Sequence, residues 1–186
     1  MTAMVRPVVA LALVALLGSC GSSGSKAERV GFGPGLKVIG KDIAAGLYRA
    51  DGTPDCEWSR LRGLEEEEPK NVIFEDEVTG PAIAKILKSD KAFNSKLCGN
   101  WKPIADKPIN DVRIHDGLHA VGSDIAPGDY HAPGGKGCHW ERLSGTTGQQ
   151  PEVIANDDPK GETFVIVQQG DQAFRTIHCG DWRQIE

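Results

Sequence analysis

The chain has 186 residues and a formal net charge of −5, with 21 Lys and Arg against 26 Asp and Glu. A modestly acidic chain lacks the basic footprint of a nucleic-acid-binding protein, so we expect no nucleic acid partner. The same charge gives no reason to expect attraction to an anionic lipid surface.

Residues 1–19 are predicted to be a signal peptide of the lipoprotein type. Arg6 precedes an apolar run over 7–17, which is too short to span a bilayer as a mature helix. The run leads into Leu-Gly-Ser-Cys20, which resembles the lipobox of bacterial lipoproteins, where the cysteine is acylated before cleavage in front of it. The resemblance implies lipid on Cys20, a location on the outer face of the bacterial cell membrane, and a flexible tether over 20–36. An ordinary secretory peptide with a chance cysteine is the alternative.

The mature part of the chain contains an internal repeat. Between 39–61 and 121–143, 12 of 23 aligned positions are identical. Both copies close with an Asp-x-Ala-Phe motif followed by Cys-Gly-x-Trp. The predicted organisation is repeat 1 over 37–102, a linker over 103–117 and repeat 2 over 118–186.

Cysteine usage predicts one disulfide in each repeat. With Cys20 assigned to lipid, four cysteines remain in an exported protein, where disulfides persist. Four cysteines allow three pairings, and the repeat favours the equivalent pairs Cys56–Cys98 and Cys138–Cys179. A zinc site is the alternative, although no CxxC pair is present. Units this small rarely bury enough apolar surface alone, so the disulfides are expected to carry much of the stability.

The secondary structure is predicted to be short strands joined by Gly and Pro turns. In Cys-x-Trp-x-Arg the period of two places cysteine, tryptophan and arginine on one strand face. The segment Thr163–Gln168 is rich in β-branched residues and is the strongest predicted strand. The spacing in Ala82–Lys88 would also suit a helix, but the repeat assigns it to a strand. Residues 90–94 and 171–175 are expected to form a turn or one helical turn. The predicted fold class is mainly all-β, with two tandem disulfide-linked β-sandwiches or barrels.

Two Trp-Arg pairs are candidate ligand-binding residues: Trp58 with Arg60, and Trp140 with Arg142. In each pair a guanidinium over an indole could form a stacking platform. The alternative is that each Trp packs on the disulfide of its own repeat, and the nearby cysteines favour this structural interpretation.

Histidine is confined to the second half of the chain, at His115, His119, His131, His139 and His178. The asymmetry makes His131, His139 and His178 weak candidates for zinc or copper ligands. Because no HExxH motif or close histidine–carboxylate cluster is present, neither a metal nor a cofactor is predicted. The four acids at 65–68 are expected to form a solvated loop rather than a calcium site.

Catalytic motifs are missing from the sequence. There is no GxSxG elbow, no cysteine left over as a nucleophile, and no glycine-rich phosphate loop between a strand and a helix. We therefore expect a protein that is not an enzyme.

Three motifs together resemble a repeat in exported proteins and lipoproteins of actinobacteria and some other Gram-positive bacteria: Ile-x-Pro-Gly-x-Tyr, Cys-x-Trp-x-Arg-Leu and Cys-Gly-x-Trp. The segment Val121–Trp182 matches best, whereas repeat 1 departs at Ala45 and in its acidic insertion. The resemblance implies an envelope location and a β fold, and it implies no activity. The expected function is a non-catalytic binding or structural module of the cell envelope, with a cell-wall polymer or an envelope protein as partner. A metal- or small-ligand-binding lipoprotein that uses repeat 2 is the first alternative, and an envelope hydrolase is the second.

Overall fold

The computed structural model describes residues 29–66, 68–104, 113–149 and 152–185. The predicted signal peptide and Cys20 lie outside these ranges, as does the middle of the predicted linker. None of the described segments forms a helix long and apolar enough to cross a membrane.

Repeat 1 is built from short antiparallel strands in two sheets. The strands are β1 (Lys37–Val38), β2 (Gly46–Ala50), β3 (Cys56–Leu61), β4 (Val72–Val78), β5 (Ala82–Ile86), β6 (Ala92–Lys96) and β7 (Trp101–Pro103). One sheet has the order β1-β6-β3-β4 and the other has the order β5-β2-β7. A single 3-10 turn at Pro69–Asn71 leads into β4.

Repeat 2 follows the same plan. Its strands are β8 (Arg113–Ile114), β9 (Gly117–Ala120), β10 (Gly128–Ala132), β11 (His139–Leu143), β12 (Val153–Asp157), β13 (Thr163–Val167), β14 (Ala173–Ile177) and β15 (Trp182–Ile185). The sheets have the orders β9-β14-β11-β12 and β13-β10-β15-β8, so β9 to β15 correspond to β1 to β7. The all-β fold class predicted from the sequence is confirmed.

In each repeat the two sheets face each other across an apolar core, as in a sandwich. Tyr48 and Ala50 alternate toward the core from β2, and Trp58 and Phe93 approach from the opposite sheet. Trp101 and its counterpart Trp182 are fully buried, and each indole donates a hydrogen bond to a hydroxyl on the strand opposite, Ser95 or Thr176. The same packing is thus repeated around each core.

Each repeat contains one disulfide, as predicted. Cys56 bonds Cys98, and Cys138 bonds Cys179. All four cysteines are buried in the cores of their repeats. Cys56 is the first residue of β3 and Cys138 directly precedes β11, and each bonds the residue two places beyond the end of the neighbouring strand, β6 or β14.

The prediction of turns at 90–94 and 171–175 was wrong for most of these residues. Only the first residues lie in turns, and the rest belong to β6 and β14. These strands lie between two neighbours in their sheets, and they place Phe93 and Phe174 in the cores with no exposed surface. Core packing therefore outweighs the polar, turn-like composition of the segments.

The folded units extend beyond the boundaries predicted for the tether and the linker. Phe32, within the predicted tether, pairs with Trp101 and packs its ring edge-on against Tyr48 at a centroid distance of 5.0 Å. Ile114, within the predicted linker, pairs with Trp182 in the equivalent place and is fully buried. Phe32 and Ile114 thus complete the adjoining cores.

Candidate functional site

The two Trp-Arg pairs predicted as ligand-binding candidates lie inside the repeats. Trp58 and Arg60 are 4% and 1% exposed, and Trp140 is 9% exposed. Each tryptophan thus has less than a tenth of its surface exposed, which is too little for a ligand to stack on the face of the indole. The structure therefore favours the structural interpretation of both pairs.

Each arginine of these pairs is held by a buried aspartate that the sequence analysis did not single out. Arg60 donates from Nε and Nη2 to Asp90, at 2.8 Å for both contacts. Arg142 donates in the same way to Asp171, at 2.7 and 3.0 Å. The recurrence of Asp-x-Ala-Phe in both repeats was the available signal, because a buried guanidinium requires a carboxylate partner.

The pKa of Asp171 shows how the ion pair with Arg142 affects the stability of the fold. Burial raises the pKa of the Asp171 carboxyl, but hydrogen bonds from Arg142 and from the backbone N–H of Gln168 outweigh burial and hold the pKa below its usual range. A depressed pKa in the folded state means that the ionised carboxylate stabilises the fold. This contribution is complete above a pH of about 4 and is lost as the pH falls through the depressed value.

The histidines are dispersed over repeat 2. His131 Nε2 lies 2.8 Å from Glu162, and His139 Nδ1 lies 2.7 Å from Asp158. His178 occupies a turn with a φ of 52°. Among the described residues no three histidine, cysteine or acidic side chains converge as metal ligands. The weak metal candidates are therefore not brought together.

His139 has a local role in its strand. Burial lowers its pKa, but hydrogen bonds to Asp158 and Glu141 outweigh burial and raise the pKa above its ordinary value. The charged imidazolium is therefore stabilised by these carboxylates, and that stabilisation is lost as the pH rises through the raised pKa.

The feature that sequence analysis missed is a junction between the repeats. We use this name for the contact of the outer face of β5-β2-β7 in repeat 1 with the outer face of β9-β14-β11 in repeat 2. Its apolar centre consists of Ile83, Ile104, Leu118, Ala120, Leu143 and Ala173, with Leu47 and Val153 packed beside them. Ile83 is fully buried and Ile104 is 9% exposed. The two repeats therefore share an apolar interface in addition to their own cores.

Polar contacts flank this apolar centre on both sides. Arg49 of repeat 1 donates to Asp124 of repeat 2 at 2.6 Å. In the opposite sense, Arg175 of repeat 2 forms an ion pair with Asp76 of repeat 1. The ion pairs run in both directions, so each repeat presents one acid and one arginine to the other.

A loop of repeat 2 also inserts against repeat 1. The backbone N–H of Lys85, on edge strand β5, donates to the carbonyl of Thr146 at 3.0 Å. The Nη1 of Arg60 donates to the carbonyl of Thr147 at 2.7 Å. Gly148 follows with a φ of 76°, and a Cβ there would overlap the ring of Phe74. Glycine is therefore required for this close approach.

A cavity of about 130 Å³ lies at the junction beside the Asp76–Arg175 pair. Burial raises the pKa of Asp76, and the adjacent Arg175 guanidinium offsets only part of this rise. An acidic groove of about 430 Å³ on repeat 1 adjoins this cavity, and Trp58 and Asp76 line both of them. The buried Nε1 of Trp58 has no hydrogen-bond partner in the described part of the chain.

Replacing Arg175 with glutamine is expected to lower the free energy of unfolding at pH 7 by about 1–3 kcal/mol, because Asp76 would remain buried without its cation. This loss of stability should shrink as the pH falls toward 4. The Asp76 carboxyl has a raised pKa in the folded state and therefore binds its proton more tightly there. Urea unfolding at several pH values measures both effects.

The matched control is Arg183→Gln, which removes an exposed arginine from β15. Its effect should stay within about 0.5 kcal/mol, as for most surface substitutions. Equal effects of the two substitutions would contradict a role for Arg175 in holding the junction.

The fold and the junction define a class of protein: a tandem of all-β domains, each with its own disulfide. The chain matches the family model described as the Rv1352-like extracellular domain twice, over residues 30–102 and 111–183. The chain belongs to this family, and its two repeats are domains that lie outside the cytoplasm. The matched ranges include Phe32 and Ile114, in agreement with their places in the cores. No curated protein and no solved structure matches the chain.

Proposed function

We propose that this protein is a lipid-anchored, non-catalytic module on the outer face of the bacterial cell membrane, and that it binds an envelope protein. The family match supports a location outside the cytoplasm for both domains. The lipobox-like segment at Cys20 supports the anchor, because durable attachment of a domain to a membrane needs more than one acyl chain and lipidated cysteines of this kind provide it.

The observation that carries the binding role is a sheet face on repeat 2 that exposes three large apolar side chains. Phe164 and Ile166 on β13 are each 61% exposed, and Ile185 on β15 is 42% exposed. The exposed Asp129 of β10 lies between Ile166 and Ile185. Several large apolar side chains exposed on one sheet face mark an interaction surface for another protein. The buried arginines and aspartates, by contrast, are paired within the fold and serve its stability.

Replacing Cys20 with alanine is expected to move the protein from the membrane fraction to the soluble fraction, because it removes the acylation site. Cell fractionation followed by immunoblotting measures the distribution. Ser22→Ala, in the predicted tether, is the control and should remain with the membrane. Retention of the Cys20→Ala protein in the membrane fraction would overturn the lipid anchor.

The binding role is tested by crosslinking in living cells and identification of the attached molecules. A reproducible protein partner that is absent from Cys20→Ala cells supports the proposal. Attachment to cell-wall fragments alone would contradict it and would point to a wall polymer as the ligand.

A further inference from the structure

The two repeats present equivalent outer faces, of which one is covered and the other is free. The positions correspond through the strand register, since Ile83 pairs with Arg49 as Phe164 pairs with His131. The faces differ at the position of Leu47, where repeat 2 has Asp129. In repeat 1 this face is buried at the junction, where Ile83 has no exposed surface. In repeat 2 the counterpart Phe164 is 61% exposed. Repeat 1 therefore shows what kind of surface covers this face.

The hydrogen-bonding groups of the covered site are also present in repeat 2. In repeat 1 the edge strand β5 and Arg60 donate to two successive carbonyls of the inserted loop. In repeat 2 the corresponding strand β13 lies at the edge of its sheet, with Ile166 at the position of Lys85. Arg142 donates to Asp171 from Nε and Nη2, and its Nη1 has no acceptor within the described residues. The donors for an equivalent loop are thus in place.

The two positions that flank the face carry ionisable side chains in both repeats. His131 occupies the position of Arg49, and Asp157 occupies the position of Asp76, opposite the core tryptophan. His131 already has an acid within its own repeat, because its Nε2 lies 2.8 Å from Glu162. A cation facing Asp157 would reproduce the Asp76–Arg175 pair of the junction. The exposed face therefore specifies one cation of its partner as well as apolar contacts.

Repeat 1 of a second copy is poorly suited to cover this face. Where repeat 2 has Glu141 and Arg175, the equivalent strand positions in repeat 1 are Ser59 and Asn94. Both of these side chains are hydrogen-bonded to Glu66 of the acidic loop. Repeat 1 thus covers its own corresponding face with its own loop and lacks the arginine that would meet Asp157. The occupant is therefore to be sought in a different polypeptide.

We infer that the outer face of β13-β10-β15 is a docking site for a β domain of another envelope protein. The partner surface has a sheet face with apolar side chains, a guanidinium that meets Asp157, and a neutral glycine-containing loop that lies along β13. This inference rests on the proposed function, because it names the class of partner for that binding module.

The probe is the surface of repeat 2 that covers repeat 1 at the junction. A three-repeat chain is made by placing a second copy of residues 103–186 after Glu186, so that the added repeat can dock on repeat 2. Hydrogen exchange measured by NMR is expected to slow at the Ile166 amide by about tenfold or more, because that N–H would be bonded to the added loop. The equivalent amide of the added repeat has no such partner and is the internal control.

The Lys85 amide reports whether the original junction is intact in the longer chain. Phe164→Glu in the three-repeat chain should restore fast exchange at Ile166, whereas Ile177→Glu, at an exposed position on another strand, should not. Equal exchange at Ile166 and at its counterpart in the added repeat would overturn the inference. Slowed exchange in the unextended chain at high concentration, with a doubled mass by light scattering, would overturn it in favour of a second copy.

If the longer chain does not fold, a synthetic peptide of residues 143–149 replaces it as the probe. At millimolar concentration it should shift the Ile166 amide resonance of the unextended chain, and the absence of a shift would overturn the inference. These outcomes are independent of membrane fractionation and of crosslinking in cells. Failure of the docking site is therefore distinguishable from failure of the proposed function.

Discussion

Replacing Asp90 with alanine is expected to lower the free energy of unfolding by about 3–5 kcal/mol, because it leaves a buried guanidinium without its carboxylate. Arg60 and Asp90 are each 1% exposed at the side chain, so water cannot compensate for the lost partner. The same change also removes the acceptor of the Leu87 backbone N–H. Equilibrium unfolding in urea, followed by tryptophan fluorescence, measures the loss.

The repeat supplies a matched comparison for this prediction. Asp171→Ala removes the equivalent carboxylate, but the Arg142 side chain is 12% exposed and can be partly hydrated. Its loss of stability should therefore be the smaller of the two. The double variant Arg60→Met with Asp90→Leu should be more stable than Asp90→Ala, because it removes the uncompensated charge. A cost below about 1 kcal/mol for Asp90→Ala would contradict the assigned role of the pair.

Replacing both Cys56 and Cys98 with alanine is expected to cost about 4 kcal/mol, since the bond closes a loop with a sequence separation of 42 residues. This is comparable to the whole stability that so small a core can supply. The equivalent change at Cys138 and Cys179, which are 41 residues apart, should cost a similar amount. Thermal and urea unfolding of both variants measures these losses.

The wild-type protein under reducing conditions is the control for these variants, because it loses the same covalent constraint without losing the sulfur atoms. Its unfolding midpoint should approach that of a variant that lacks both bonds. If the variant without Cys56 and Cys98 unfolds at the same urea concentration as the oxidised wild type, the entropic contribution assigned to the bond is wrong.

The features that could be predicted from the sequence are those that both repeats share. Two copies of nearly the same cysteine spacing left one equivalent pairing, and the period of two around Trp58 and Trp140 indicated a strand in each copy. Even Ala82–Lys88, whose spacing would suit a helix, was assigned correctly to a strand, because its counterpart is rich in β-branched residues. Repetition thus supplied the information that a single copy lacks.

The junction could not be predicted because it depends on residues that differ between the copies. Arg175 and Asp76 are separated by 99 positions, and the position equivalent to Arg175 in repeat 1 is Asn94. Nothing in the local pattern distinguishes Ile83, which is buried, from Phe164, which is exposed. Such differences arise from the way in which two similar bodies are placed together, and strand periodicity does not encode that placement. The buried Arg–Asp pairs were missed for another reason, because the composition around Asp90 and Asp171 indicated turns.

If Cys20 is lipidated as proposed, the position of Phe32 in the first core limits how far the protein can extend from the membrane. Under the proposed anchoring, only the eleven residues 21–31 separate the lipidated Cys20 from the first residue that packs in the fold. A fully extended chain of this length spans about 40 Å. The sandwich of repeat 1 is therefore confined to a thin layer next to the lipid headgroups, and repeat 2 can extend beyond it by no more than its own dimensions. A partner rooted in the membrane or within this layer is accessible, whereas one held farther out in the wall is not.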